Sequence, residues 1–157
     1  MTTNRNPHCA MNRPLAAFVL LASTLSLSAT PHTPAVGSAE RKAICDTMRE
    51  HVVALTRKPR AKTFLFKVEF LKVEGKYAAF EGFPVKADGS DFAPDVFGDQ
   101  VFTTFLKKDS NGTWKVVSDL TRSDVPSAEE VREIRKKFPA DFPAAVMPDF
   151  WRNLLRP

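Results

Sequence analysis

The spacing of the apolar residues changes at Thr63, and this change limits the folds that the chain can adopt. Before Thr63, apolar residues recur every three or four positions, as they do along one side of a helix. After Thr63 they recur at every second position, as they do along one face of a β-strand. The predicted apolar face of this strand consists of Phe64, Phe66, Val68 and Phe70. The sequence therefore predicts a helix that is followed by a sheet.

The first helix is predicted over residues 38–56. Ser38 is a suitable N-cap residue, and the helix dipole favours Glu40 in the first turn. The apolar stripe of this helix consists of Ile44, Met48, Val52 and Leu55. Because an apolar stripe must be buried, we expect this helix to cover the phenylalanine-rich face of the sheet.

Turn residues separate three further predicted strands. Glu74-Gly75 ends the first strand, and residues 76–85 form the second. A polar loop leads to a third strand over residues 100–108. The segment Asp109-Ser110-Asn111-Gly112 is typical of a hairpin turn, and it precedes a fourth strand over residues 113–120. Sequential strands that are joined by short turns favour an antiparallel sheet.

A second helix is predicted at the start of the C-terminal part of the chain. Ser127 and Glu130 have the spacing of a capping box, and the helix is predicted to end near Phe138. A proline-rich tail follows and contains a short apolar patch. Phe150 and Trp151 in this patch are candidates for binding a partner, provided that both side chains are exposed.

The predicted order of elements indicates an α+β fold. An N-terminal helix packs on a curled four-stranded antiparallel sheet, and a second helix and a Pro-rich tail follow. Three segments carry a resemblance to a known group: residues 40–49, residues 71–80 and residues 112–117. Over residues 38–125 the chain resembles small exported bacterial proteins of unknown function, with a cystatin-like or nuclear-transport-factor-like fold. This resemblance implies the fold and brings no catalytic residues with it.

The N-terminal residues have the pattern of a signal peptide. Residues 1–29 contain two arginines and no acidic residue, and they include a short apolar run from Pro14 to Ala29. We expect cleavage after Ala29, with Ala35 and Ala39 as later options, and translation could start at Met1 or Met11. Residues 30–37 are interpreted as a linker, residues 38–125 as the domain and residues 126–157 as a C-terminal helix and tail. The expected location is periplasmic or secreted.

The charge and the targeting pattern limit the partners. The chain carries a net charge of +5 at pH 7, and removal of the leader makes the remainder only mildly basic. Neither this charge nor export favours a nucleic-acid partner. Once the leader is removed, no remaining stretch is apolar enough for stable membrane insertion. The expected partner is an unknown small apolar ligand or another envelope protein, and a homodimer is left open.

The motif search gives little support for catalysis. The sequence has none of the common hydrolase, zinc-protease or phosphate-loop motifs, and it has no paired CxxC. His51 is the single histidine of the predicted domain and is interpreted as a surface or boundary residue. The sequence therefore predicts no metal site and no cofactor.

Glu81 is the acidic residue that the sequence singles out, and two hairpin registers are left open for it. A three-residue loop over residues 74–76 would place Glu81 opposite Glu69, where two like charges repel. A two-residue loop would instead pair Glu81 with Val68 and turn it toward the phenylalanine face, where burial would raise its pKa. The plainest alternative is an edge carboxylate that is bonded to a nearby lysine.

Three classes of function are compatible with these features. The leading prediction is a non-enzymatic module of the bacterial envelope that binds a ligand or a protein. Its candidate ligand-binding residues are Phe66, Phe70, Tyr77, Glu81 and Phe83. The alternative is a small hydrolase- or isomerase-like enzyme, with Glu81 and Tyr77 as its weak catalytic candidates. The third class is an accessory module that docks through its Pro-rich tail.

Overall fold

A four-stranded antiparallel sheet in the order β1-β2-β3-β4 forms the centre of the computed structural model. The structure describes residues 30–57, 63–97, 100–122 and 124–156, so the predicted signal peptide lies outside the described residues. The strands are β1 (Leu65–Glu74), β2 (Tyr77–Val85), β3 (Phe102–Lys108) and β4 (Trp114–Asp119). The predicted α+β fold is confirmed.

The helices precede and follow the sheet, with one short exception. They are α1 (Ala39–Thr56), α2 (Pro94–Phe97), α3 (Ala128–Lys137) and α4 (Asp149–Leu155), and a 3-10 turn (Ala144–Val146) lies between the last two. α2 belongs to the segment that was predicted as a polar loop. The capping box of α3 forms as predicted, because Ser127 accepts from the Glu130 amide and the Glu130 carboxylate accepts from the Ser127 amide.

α1 forms at its predicted position, where both an N-cap residue and an apolar stripe favour a helix. The Ser38 hydroxyl accepts a hydrogen bond from the Arg41 amide at 3.2 Å, as an N-cap residue should. The stripe residues Ile44, Met48 and Val52 are fully buried. Leu55 is 53% exposed, so the expectation that it belongs to the buried stripe is wrong. α1 ends at Thr56, so Leu55 lies in its last turn.

β1 contains a bulge that changes the face of every residue after it. Val68 pairs with Gly82 and Phe70 pairs with Glu81, which leaves Glu69 without a partner in the ladder. One extra residue reverses the alternation of side chains between the two faces. The prediction that Phe70 shares a face with Phe64, Phe66 and Val68 is therefore wrong.

Gly82 makes the bulge sterically possible. A β-carbon at this position would lie 2.7 Å from the Lys67 carbonyl oxygen and 3.2 Å from the Val68 Cα. Both atoms belong to the backbone of the neighbouring strand, so they cannot rotate away. The close approach of β1 to β2 beside the bulge thus requires a residue without a side chain.

The sheet is covered on both faces. The helix face packs against α1 and carries the larger apolar cluster, which includes Leu71, Phe80, Phe102 and Leu106. We call the opposite face the tail face, because the C-terminal segment (residues 126–156) covers part of it. The tail-face cluster consists of Tyr77, Ala79, Phe105, Leu120, Phe142, Val146, Met147, Trp151 and Leu155. The tail is thus a second layer of the fold.

This second layer explains the positions of Phe150 and Trp151. Trp151 is 3% exposed and belongs to the tail-face cluster, so it is not available to a partner, and its prediction as an exposed partner-binding residue is wrong. Apolar side chains such as Ala79 and Phe105 need a cover on this face, and α4 supplies the indole ring for it. Phe150 remains 47% exposed, with its ring 5.1 Å from that of Trp151.

The residues interpreted as a linker extend the sheet at the edge of β1. The backbones of His32 and Val73 exchange two hydrogen bonds, of 2.9 Å and 2.8 Å. Pro34 is buried, and its carbonyl oxygen accepts a hydrogen bond from Arg41 of α1 at 3.3 Å. The His32 ring lies 3.0 Å from the Glu40 carboxylate. Residues 32–34 therefore belong to the packed structure.

The role of Gly82 leads to a prediction for Gly82→Ala. Without a clash, replacement of glycine by alanine in an extended segment would stabilise the protein by about 0.4–1 kcal/mol through the unfolded state. Because the new methyl group would meet the Lys67 carbonyl, we expect a loss of about 1–3 kcal/mol instead. Urea unfolding of the two proteins measures the difference, and an equal or higher stability of the variant would contradict this account of the bulge.

Candidate functional site

The strand register arranges the tail face in rows across the sheet. Residues that pair directly across neighbouring strands point to the same face, so each set of two to four paired residues forms one row. From the bulge to the hairpin end, the rows are Lys67–Phe83, then Phe70–Glu81–Thr103, then Lys72–Ala79–Phe105–Ser118, then Glu74–Tyr77–Lys107–Lys115. The C-terminal segment covers the hairpin end of this series of rows and leaves the bulge end uncovered.

The hairpin end of the tail face is closed. The Phe142 ring packs edge-on against Tyr77 and Phe105, with centroid distances of 5.3 Å and 5.1 Å. The Asp141 carboxylate accepts a hydrogen bond from the Lys107 ammonium group at 2.8 Å and another from the Tyr77 hydroxyl group. The hydroxyl group of Tyr77 thus helps to hold the C-terminal segment on the sheet.

The bulge end of the tail face is open. Phe70, Glu81 and Phe83 are half-buried, and Lys67 beside them is exposed. Phe70 touches the tail-face cluster, whereas Phe83, among the described residues, packs against neither apolar cluster. We call Lys67, Phe70, Glu81 and Phe83 the open patch. It is a part of the tail face that the C-terminal segment leaves accessible.

Two exposed aliphatic residues extend the open patch. Leu65 precedes Lys67 on the same face of β1 and is 45% exposed. Val101 directly precedes β3, where alternation places it on the face of Thr103, and it is 38% exposed. Apolar side chains therefore continue across three neighbouring strands around Phe83.

Glu81 has one weak polar contact in this patch. The Thr103 hydroxyl group donates a hydrogen bond to its carboxylate over 3.4 Å, close to the upper limit for such a bond. Within the described residues, no lysine or arginine forms an ion pair with Glu81. Burial raises the pKa of Glu81, and the hydrogen bond from Thr103 lowers it by a smaller amount.

The hairpin loop has two residues, as one of the two alternatives expected, but the partner of Glu81 differs from both. Glu74 pairs with Tyr77, so the loop consists of Gly75 and Lys76, and the residue opposite Glu81 is Phe70. Neither the pairing with Glu69 nor the pairing with Val68 occurs. Glu81 is also not the lysine-bonded edge carboxylate, since β2 is an inner strand.

Two lysine side chains lie over the aromatic rings of this region. The Lys67 ammonium nitrogen is 4.9 Å from the centroid of the Phe83 ring, and the Lys72 nitrogen is 5.6 Å from that of Phe70. Both distances are within the range of cation–π contacts. Lys67 also lies 3.8 Å from the Glu69 carboxylate in the bulge. Two ammonium groups and one carboxylate therefore border the open patch, and their net charge is positive.

The structure brings together three of the five predicted ligand-binding residues. Phe70, Glu81 and Phe83 are neighbours on the tail face. Phe66 lies on the helix face, where its ring packs edge-on against Phe64 and Phe80 at 5.0 Å. Tyr77 shares the face of Glu81 but lies four residues along β2, which corresponds to about 13 Å. The predicted catalytic pair of Glu81 and Tyr77 therefore does not form.

A histidine–carboxylate pair connects α1 to the end of β4. The His51 ring is 2.7 Å from the Asp119 carboxylate, and both side chains are about three-quarters buried, with 25% and 24% exposed. Burial acts to raise the pKa of Asp119, but hydrogen bonds from His51 and Thr121 outweigh it and lower the pKa. The prediction of His51 as a boundary residue missed this partner, which lies 68 positions away.

Comparison with known proteins gives no relative. The chain matches no protein-family model, no curated protein and no solved structure. In the part of the chain that the structure describes, no cluster of three or more histidine, cysteine or acidic side chains could hold a metal ion. No helix in the same ranges is both long enough and apolar enough to span a membrane.

The contact between the tail and the sheet leads to a prediction for Asp141→Asn. Hydrogen bonds from Lys107 and then from Tyr77 lower the pKa of Asp141 from 3.8 to about 2. A carboxylate with a lowered native pKa stabilises the fold above its unfolded pKa and loses this effect as the pH falls through the native pKa. We therefore expect Asp141→Asn to be less stable than the parent protein at pH 7, with the difference shrinking between pH 4 and pH 2.

Urea unfolding at a series of pH values measures this difference. Asp149→Asn is the matched control, because Asp149 is exposed and its contact is with Arg152 of its own helix. A stability difference for Asp141→Asn that stayed constant down to pH 2 would contradict the assignment.

A second prediction concerns Glu81→Gln. A raised native pKa means that the native state binds more protons than the unfolded state, so Glu81 favours folding at acid pH and opposes it as the pH rises through the native pKa. We expect Glu81→Gln to be folded and neutral or slightly stabilised near pH 7.

Carbon-13 NMR titration of the Glu81 carboxyl group measures the pKa directly. Glu69→Gln controls for the loss of one negative charge on the same part of the sheet, since the Glu69 side chain is 51% exposed. An ordinary pKa for Glu81, together with an unchanged stability profile in Glu81→Gln, would assign the residue to the solvated surface.

Proposed function

We propose that this chain is an exported, non-enzymatic binding protein of the bacterial envelope, and that the open patch is its binding surface. One observation carries the proposal. The C-terminal segment closes the hairpin end of the tail face but leaves Phe83 outside both apolar clusters, with a half-buried carboxyl group beside it.

The composition of the open patch is unfavourable for a surface that only meets water. Exposed apolar side chains that are grouped together commonly belong to binding sites. A carboxyl group that loses water without gaining an ionic partner lowers the stability of the fold. Leucine or glutamine would avoid this cost at position 81, so the carboxyl group is better explained by a bound molecule.

Binding is favoured over catalysis because the predicted catalytic partner of Glu81, Tyr77, lies at the other end of the tail face. A general acid or base of an enzyme needs a second group at the reacting atoms, and Tyr77 was the candidate. The Tyr77 hydroxyl group instead donates to Asp141 at the closed end of the tail face. A lone carboxyl group among aromatic rings suits the recognition of a ligand.

The packing of residues 32–34 supports one cleavage site among the three options. Cleavage after Ala35 or Ala39 would remove the hydrogen bonds of His32 to Val73 and the buried Pro34. Cleavage after Ala29 would keep them. An exported form that begins at Thr30 therefore retains the whole described fold.

Native mass spectrometry of protein purified from the cell envelope tests both parts of the proposal. We expect a chain that begins at Thr30 and carries an additional bound mass. Phe83→Ala should lose this mass, whereas Phe150→Ala should retain it, because Phe150 is exposed but lies on α4.

Two results would count against the proposal. A full-length chain that begins at Met1 or Met11 and stays in the cytoplasm would exclude export. A bound mass that survives Phe83→Ala, or the absence of any bound mass, would exclude the open patch as the site.

A further inference from the structure

We propose that the ligand of the open patch is a free medium-chain carboxylic acid, whose head group is held by Lys67 and Glu81 and whose chain lies over Phe83 and its aliphatic neighbours. The inference rests on the proposed function and names its ligand class. It follows from the combination of an apolar strip, a positive rim and an unpaired carboxyl group within one small area.

The apolar strip fits a narrow, extended chain. Phe83 pairs with Lys67 of β1, and Val101, which precedes β3, continues this row on the other side of Phe83. The exposed side chain of Leu65 lies one row farther along β1. Three neighbouring strands span about 10 Å, which corresponds to an alkyl chain of roughly eight to ten carbons. The strip is one side chain wide, because Phe70 in the next row already touches the tail-face cluster.

The charge at the rim favours an anionic head group. The Lys67 side chain is 63% exposed, and its nearest carboxylate, that of Glu69, is 3.8 Å away, so the ammonium group can turn toward a ligand. Lys72 adds a second positive charge over Phe70. An alkylammonium ligand would have to displace both lysines from the rings and would be repelled by them.

Glu81 can assist an anionic ligand only in its protonated form. A protonated carboxyl group can donate a hydrogen bond to the carboxylate of the ligand, whereas the ionised form would repel it. Since the only described hydrogen bond to Glu81 is the long one from Thr103, the carboxyl group is available for this contact. Binding of the acid should therefore be coupled to the uptake of a proton by Glu81.

Isothermal titration of the chain beginning at Thr30 tests the ligand class. The probes are decanoate, decanol and decylamine, each used below its aggregation concentration, at pH 5.5 and pH 7.5. We expect decanoate to bind about tenfold more tightly than decanol, as one charge-assisted hydrogen bond would give. Decylamine should bind more weakly than both, and decanoate should bind more tightly at pH 5.5.

Three variants locate the effect. Lys67→Met should remove the preference for decanoate over decanol, and Lys86→Met, in the exposed loop after β2, should leave it unchanged. Glu81→Gln should still bind decanoate, because an amide can donate a hydrogen bond, but the affinity should no longer depend on pH in this range.

The possible failures can be told apart. If decylamine or decanol binds as tightly as decanoate and Phe83→Ala abolishes that binding, the acid is the wrong ligand class and the binding function stands. If none of the three probes binds and the purified protein carries a protein chain at the patch, the inference is also overturned. If no probe binds and no mass co-purifies, both the inference and the proposed function fail.

Discussion

The single extra residue in β1 determines the composition of both faces of the sheet. Because Glu69 stands outside the ladder, Phe66 points toward α1, whereas Phe70, four positions later, points toward the C-terminal segment. Leu71 then takes its place in the core on the helix face. Gly82 permits this arrangement by letting the neighbouring backbone approach without a side chain in between. An unbroken strand would have placed Leu71 on the tail face and left the helix face without it.

The cover of the tail face is built from a short, irregular segment, and its extent defines the candidate site. Proline-rich residues cannot form one long helix, so the segment crosses the sheet as a helix, a 3-10 turn and a second short helix. Among its contacts with the sheet, Phe142 packs on Tyr77 and Asp141 meets Lys107. These contacts fix the segment over the hairpin end of the strands. The opposite end keeps its aromatic and charged side chains accessible for the same reason.

Features that depend on local sequence could be predicted, and features that depend on distant contacts could not. The N-cap of α1, the capping box of α3 and the turn before β4 are encoded within a few residues each, and all three form. The bulge lies in β1, where the alternation of apolar residues gives no sign of it. Trp151 lies in a segment without periodicity, so its burial against the sheet could not be inferred. The contact of His51 with Asp119 joins two residues that no motif connects. Glu81 could be singled out from the sequence, but its pairing with Phe70 could not be predicted, because it depends on the hairpin register.

The bulge also connects the stability of the fold to the candidate site. The reversal that sends Leu71 into the core places Phe70 directly opposite Glu81 and beside the row of Phe83. A β-bulge is a common means of re-aiming a side chain next to a functional position, at the cost of one ladder position. Here the cost is accompanied by a half-buried carboxyl group with a raised pKa, which is a second unfavourable feature in the same place. Two such features in adjacent rows of one sheet, on a part of the tail face that the C-terminal segment leaves accessible, support the proposed recognition of a ligand.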